Sequence, residues 1–448
     1  MKSRILDLQV DAADLFSALC ENCDDAFLLE SSEGTEKTAR FSFLGFSPKK
    51  KMSLSEGVVT VGDEERQASC PIDEIKKEVD STKDGSEGFV GGAVGYFSFD
   101  YIRYVEGLLK KKPGPFPDYE FGIFDDAIVY DHRKSEMKYL HRGEDRIDEL
   151  LRHARDASFE NGKLEVGKPV TDMSKEEYCK GVGLAKERIL AGDIFQVVLS
   201  RRYEMEYSGG LLSFYKRLKV SNPSPYMYFL KFGKKSIIGS SPENLVRIEG
   251  QNISSYATLA GTRKRGANRQ EDAALEKELL SDEKELAEHI MLVDLTRNDL
   301  GKVSRPGTVR VPELMNVHKY SHVQHIASLV TGKLREDKDC YDALDAIFPA
   351  GTVSGAPKKK AIEIIDEIEK SQRGPYAGAV GYFSANGNAD FAIGIRTLCA
   401  DGKKAYVQAG AGIVHESVPE NEYMETENKG KALMRALGRD DDESPDNR

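Results

Sequence analysis

The sequence predicts an α+β protein built on two packed, largely antiparallel sheets surrounded by helices. Short runs rich in aromatic and β-branched residues recur from DAFLLES (25–31) to KAYVQAGAGIV (404–414). Helical segments fall among them from residue 174 onward and would cover the outer sheet faces. The heptapeptide GAVGYFS occurs at 92–98 and again at 378–384, both times in strand-like surroundings. Seven residues do not establish a duplication. They do point to equivalent strands in one large sheet system, with both regions of the chain sharing a core.

In chain order, DAFLLES and ARFSFLGFSP (39–48) read as strands. Glycines inside the apolar run at 88–104 signal close backbone packing or a bulge, and KKPGPFPDYEFG (111–122) reads as a surface loop. A charged-tipped hairpin follows at 123–141. After the polar stretch 161–172, Ser174 and Glu177 form a capping box for a helix to about Leu190, which Gly192 ends. Strands are expected at 194–207, 224–232, 235–241, 244–250, 376–384, 390–400 and 404–414. Helices are expected near 210–218, 271–280, 283–292, 322–330, 340–348 and 358–369. The organisation is an N-terminal sheet-contributing region (1–165), a second region (166–438) and a mobile acidic tail (439–448).

Composition excludes several classes. With 448 residues and 40% hydrophobic content, real cores are available and disorder over most of the length is not. A net charge of -11 disfavours nucleic-acid binding as the main role, since phosphate contacts need concentrated positive charge. No run approaches the roughly 18 apolar residues of a membrane span, and the first 16 residues lack a cleavage signal, so no membrane association and a cytoplasmic location are expected. Six scattered cysteines, including the Cys20/Cys23 CxxC, read as reduced thiols.

Two acidic pairs carry the first hint of chemistry: Glu285 with Glu288, and Glu422 with Glu425. On helices, each pair projects from one face, and facing pairs would form an oxygen-only pocket for a hard cation such as Mg²⁺. Two solvated acidic faces have the same spacing. PAGTVSGAPKKK (349–360) lacks the phosphate-loop pattern; Pro357 suits a first helical turn, Ser354 its cap, and the lysines a solvated face. His318, His322 and His325 could share a helical face, but no HExxH or cysteine partner supports zinc.

The motif set is more specific than any one of these. GDIFQVVLS, NPSPYMY, IIGSSPE, LAGTRKRG, DEKELAEHIMLVDLTRNDLG, FPAGTVSGAPKKKAIEIIDEIE, GPYAGAVGYFS, AIGIRT, and AGAGIV followed by ENEYMETENK together resemble the anthranilate synthase component I family of chorismate-utilising enzymes over nearly the whole chain. The resemblance implies that family's fold, chorismate as substrate, a regulatory role for 1–165 and a chorismate-binding catalytic role for 166–438. By matching position, Glu288 and Glu425 would bind Mg²⁺, supported by Glu285 and Glu422. Gly261, Thr262, Tyr376, Arg396, Gly410, Ala411, Gly412 and Lys429 would bind substrate, with the Arg396 guanidinium holding the enolpyruvyl carboxylate. Glu243 would protonate the departing ring hydroxyl, and His325 would assist proton transfer during aromatisation.

Two positions separate close relatives. Gln196 stands where water-adding members place a lysine base, and Ala260 stands where many aminodeoxychorismate synthases carry a nucleophilic lysine. Both favour amination followed by pyruvate elimination; aminodeoxychorismate synthase component I is the alternative reaction. A noncatalytic tryptophan-binding protein is the alternative of a different class. Glu30, Ser31, Pro225, Tyr226 and Met227 resemble the family's tryptophan feedback site. The chain has no segment resembling an amidotransferase, so the resemblance implies a separate glutamine amidotransferase subunit supplying ammonia, in a heterotetramer of two large and two small subunits.

Overall fold

The computed structural model describes residues 2–438 apart from 7, 9–10, 32–39, 80, 82–87, 111, 156–162 and 320–322. The tail assigned to 439–448 lies outside the described residues. The chain forms two antiparallel sheets. The first orders its strands as 2–6, 136–141, 126–131, 41–46, 25–30, 226–232, 235–241, 397–400, 404–413, 196–208 and 165–166. The second runs 310–319, 323–333, 252–264, 244–249, 389–393, 379–384, 92–97, 119–124, 50–55, 58–61 and 64–67.

Aromatic side chains fill the space between the sheets. Phe27, Phe43 and Tyr228 from the first pack with Val94, Tyr96 and Tyr382 from the second. On the outer face of the first sheet, Phe16 and Phe214 come from the helices Ala12–Asn22 and Leu212–Ser221. On the outer face of the second, Leu344 comes from Cys340–Ile347, while Ile362 of Lys358–Ile368 packs toward strand 196–208 of the first. The result is helix, sheet, sheet, helix, in agreement with the expected class.

The two GAVGYFS copies are direct neighbours. They pair antiparallel with Gly95 opposite Gly381, the fourth residue of each copy, which gives a local twofold relation. A Cβ on Gly381 would lie 2.0 Å from the Asp390 carbonyl, and one on Gly95 would lie 2.1 Å from that of Glu120. The glycines are therefore demanded by close backbone approach, as their position inside a strand pattern indicates.

Several elements match their sequence signals. Ser174 and Glu177 form the reciprocal capping box of Lys175–Leu190. Asn268 and Asp282 cap Arg269–Leu279 and Glu283–Gly301, the latter running well beyond Leu292. Other expectations fail. The segment 322–330 is not a helix: Val323–Lys333 is a strand, and His322 lies outside the described residues. Gln324 through Ser328 are all buried, so the run lacks polar alternation, and a short apolar run does not by itself distinguish strand from helix. His318 and His325 are cross-strand partners, not members of a helical face. Tyr119–Phe124 is a buried strand whose first four residues fall in the segment read as a loop. Ser354 does not cap the helix after Pro357; its hydroxyl donates to Ala350 O at 2.8 Å. Lys358 is not solvated but pairs with Asp299 Oδ2 at 2.5 Å. All six cysteines are free.

Candidate active site

The site is built on the strand pair Gln196–Ser208 and Lys404–Ile413. Their register sets Gly412 opposite Val198 and Gly410 opposite Ser200. On its other side, strand 404–413 is paired by Thr397–Ala400 only as far as Val407, so no described strand continues along that edge beside AGAGI. Backbone N–H groups on an unpaired edge are suited to a carboxylate. A Cβ on Gly410 would come within 2.8 Å of the Tyr376 hydroxyl, and one on Gly412 within 2.7 Å of Gln196 Nε2. The glycines thus let Tyr376 and Gln196 close on this strand. The buried Gln196 carbonyl oxygen has no hydrogen-bond partner among the described residues.

Glu243 follows strand Lys235–Ser241. Its Oε2 accepts from the Thr352 hydroxyl at 2.9 Å. Burial pushes the Glu243 carboxyl above the usual range, while Thr352 and the nearby cations of Arg396 and Lys429 act in the opposite direction. Burial prevails, so the group holds its proton more firmly than a solvated glutamate does. Tyr376 is 5% exposed, and burial raises its phenol further above neutrality, so it is a neutral hydrogen-bonding group at physiological pH.

Arg396 occupies the left-handed region (φ 50) between strands Ala389–Ile393 and Thr397–Ala400, and its Nη1 donates to Asn222 Oδ1 at 3.2 Å. Lys429, on helix Pro419–Ala436, donates to Gly410 O at 2.9 Å and pairs with Glu425 at 2.7 Å. Glu243, Thr352, Tyr376, Gly410, Arg396 and Lys429 therefore form one connected neighbourhood. His325 is 4% exposed, with Thr262 opposite it across the sheet. Ala260, Gly261 and Thr262 lie on strand Asn252–Lys264, but their side chains lie outside the described residues.

The acidic pairs occupy helices as the spacing requires. Gly351, beside Thr352, lies against Leu292 and Leu295 of Glu283–Gly301. Glu288 and Glu285 stand one and two turns N-terminal of these leucines on the same helix. Glu285 sits 3.6 Å from Arg263. Glu422 and Glu425 both act electrostatically on the Tyr178 phenol. Among the described residues, no three histidine, cysteine or acidic side chains converge as a closed metal site. Carboxylate oxygens are the donor type a hard ion such as magnesium takes, and that ion is commonly held by one or two carboxylates while keeping its water.

The residues resembling a tryptophan site are only partly gathered. Glu30 accepts from Tyr215 at 2.7 Å and from Lys219 at 2.8 Å, and it sits opposite Met227. The buried Ser31 hydroxyl has no partner among the described residues. Tyr226 and Met227 are consecutive on a strand and face different cores, Met227 outward and Tyr226 toward the inter-sheet layer, with Pro225 preceding them.

Sequence reasoning missed Thr352 and Arg373. Thr352 lies in the PAGTVSGAP turn, whose glycines and hydroxyls were the available signal once a phosphate loop was excluded. The only local mark on Arg373 is Glu369 four residues before it, an ordinary ion-pair spacing; its contacts to the site come from residues distant in sequence, including Val198.

A family model described as chorismate binding enzyme matches residues 24–435. Anthranilate synthase component 1 of Methanothermobacter marburgensis is 47% identical over 440 residues, covering 97% of this chain and 95% of that protein. The crystal structure of anthranilate synthase component I from Streptococcus pneumoniae superposes with a TM-score of 0.82 at 37% identity, over 90% of this chain and 93% of that one. The menaquinone-specific isochorismate synthase of Escherichia coli has a TM-score of 0.74 at 19% identity, over 98% of this chain and 95% of that one, which is a likeness of fold. With the family model spanning almost all of a chain that also carries the connected site around Glu243, the protein belongs to the chorismate binding enzyme family.

Proposed function

We propose that the chain converts chorismate and ammonia to anthranilate and pyruvate, the first committed step of tryptophan biosynthesis. The observation that carries this reading is Glu243: a carboxyl raised by burial, bonded to Thr352, within the field of Arg396 and Lys429, in a site where the neutral amide of Gln196 lies beside Gly412. The relatives named anthranilate synthase component 1 support it.

Arg396 and Tyr376 hold the enolpyruvyl carboxylate, and the backbone of Gly410, Ala411 and Gly412 holds a second carboxylate. Gly261 and Thr262 contact the ring. Ammonia adds at the ring carbon next to the carboxylate-bearing carbon as the double bonds shift. The ring hydroxyl leaves as water with a proton from Glu243. Removal of the proton from the aminated carbon, assisted by His325, expels enolpyruvate, which tautomerises to pyruvate, and the ring becomes aromatic. An amide at Gln196 cannot act as the base that would activate water, and Ala260 cannot form a covalent adduct. Glu288 and Glu425 would hold magnesium, with Glu285 and Glu422 in support. The ion, when bound, supplies positive charge to the ring carboxylate of the substrate.

The relatives' designation as a component 1 supports a second component, which we assign as a glutamine amidotransferase subunit releasing ammonia, in an assembly of two large and two small subunits. No helix among the described residues is long and apolar enough to cross a membrane, which is compatible with a cytoplasmic enzyme. We assign Glu30, Ser31 and 225–227 to a tryptophan feedback site.

Purified chain mixed with chorismate, ammonium and Mg²⁺ should form anthranilate and pyruvate in equal amounts. An aminated, nonaromatic product without pyruvate would select aminodeoxychorismate synthesis, and no turnover by folded protein would reject both. Glu288→Gln should lower turnover at least about tenfold and weaken its response to added Mg²⁺; wild-type behaviour would remove Glu288 from the metal site.

A further inference from the structure

We propose that Arg373, with Glu369, is the positioning residue that holds the proton-donating side of the site in register with its carboxylate-binding side. The inference rests on the roles given above to Glu243, Tyr376 and the glycine-bearing strand. Arg373 is 2% exposed and grips Glu369 with two bonds, Nε to Oε2 at 2.8 Å and Nη2 to Oε1 at 2.6 Å. Its remaining donors reach the backbone of the site. Nη1 donates to Val353 O at 2.7 Å, one residue after Thr352. Nη2 donates to Val198 O at 2.8 Å, opposite Gly412 and two residues beyond Gln196. The guanidinium carbon lies 5.7 Å from the Tyr376 ring centroid and 4.5 Å from that of Phe99.

Glu369 extends the same network. Its Oε1 accepts from both the backbone and the hydroxyl of Ser200 at 2.8 Å, and Ser200 stands opposite Gly410. One buried ion pair thus touches the turn that presents Thr352 to Glu243, the strand pair that carries Gly410 and Gly412, and the ring of Tyr376. A contribution to stability alone is a weak account of it. Burying a guanidinium and a carboxylate costs desolvation that their attraction often only offsets, and apolar residues can fill such a space at no loss. What apolar residues cannot do is hold the carbonyls of a turn and a strand at fixed separations. Lysine is no substitute, because it lacks the planar fork that binds Glu369 at two points while reaching both carbonyls.

The test compares Arg373→Lys, Thr352→Val and the double variant, measuring melting temperature, kcat, KM for chorismate and the pH of the kcat limb that reports Glu243. Thr352→Val removes a hydrogen bond that favours the Glu243 carboxylate, so this limb should move to higher pH. Arg373→Lys should move it in the same direction, lower kcat by about tenfold or more with a smaller change in KM, and leave the double variant no further shifted than the larger single shift. A lower melting temperature with kcat, KM and the limb at wild-type values below the transition would overturn the proposal and leave the site reading intact. An unmoved limb in Thr352→Val would instead overturn the site reading, and the positioning role with it. Should Arg373→Lys not fold, Glu369→Gln is measured by the same criteria: a shifted limb with reduced kcat supports the role, and wild-type kinetics reject it.

Discussion

At Glu243 the decisive quantity is proton affinity. A solvated glutamate, with a pKa near about 4.3, would hold little proton at neutral pH, whereas burial raises this carboxyl despite the opposing Thr352 hydroxyl and two cations. Because the acid form is the active one, the kcat limb for Glu243 should fall as pH rises and should lie above the ordinary glutamate range. Glu243→Gln should reduce kcat by about 10²–10⁴-fold and abolish that limb, with chorismate affinity largely kept; a retained limb would assign it to another group. Asp100 gives a second titration. It accepts from Gly374 N at 2.9 Å beside Tyr376, and burial raises it to about 6. Its folded pKa lies above the unfolded value, so the stabilisation it brings is fully present below about pH 4 and is lost as pH rises toward about 6. Asp100→Asn should flatten the pH dependence of unfolding free energy across that interval, by about 3 kcal/mol, in urea titrations.

Among the elements, the paired GAVGYFS strands are the tightest. Gly381 faces backbone at 2.0 Å from where a Cβ would stand, a separation that no rotamer change can relieve. Gly381→Ala should cost several kcal/mol, read as a fall in melting temperature or loss of soluble protein, because backbone and not a movable side chain must shift. A change under about 1 kcal/mol would show that the sheet yields there. This element was legible in the sequence: glycines in an apolar aromatic run have few other meanings. So was the capping box at Ser174, a local pattern with local causes. The 323–333 strand was not, since its outward and inward residues are both covered and the alternation that marks a strand disappears. Tyr119–Phe124 was hidden for a related reason, with a proline-rich approach and Gly122 making a buried strand read as loop.

Across the whole molecule, the regions 1–165 and 166–438 are joined through both sheets. Strand Asp25–Glu30 pairs with Tyr226–Phe232, and Gly92–Phe97 pairs with Ala379–Ser384. Expressed alone, 166–438 would expose two interior strand edges and half of an aromatic core, so it should be insoluble or unfolded. A cooperative melting transition from that fragment would contradict this; recovery on co-expression with 1–165 is the expected control. By itself, the sequence determined the α+β class, about half of the strands, the capping box at Ser174, the chemical types at the site and the family, because these depend on local pattern and on motifs carried within short segments. The tertiary structure decided which groups meet: Thr352 with Glu243 across 109 positions, Arg373 with Val198 across 175, and Tyr226 and Met227 on opposite faces of one strand. The reason is physical. Burial and hydrogen bonding set proton affinity and orientation, and both arise from strands brought together by a shared core, which no local segment encodes.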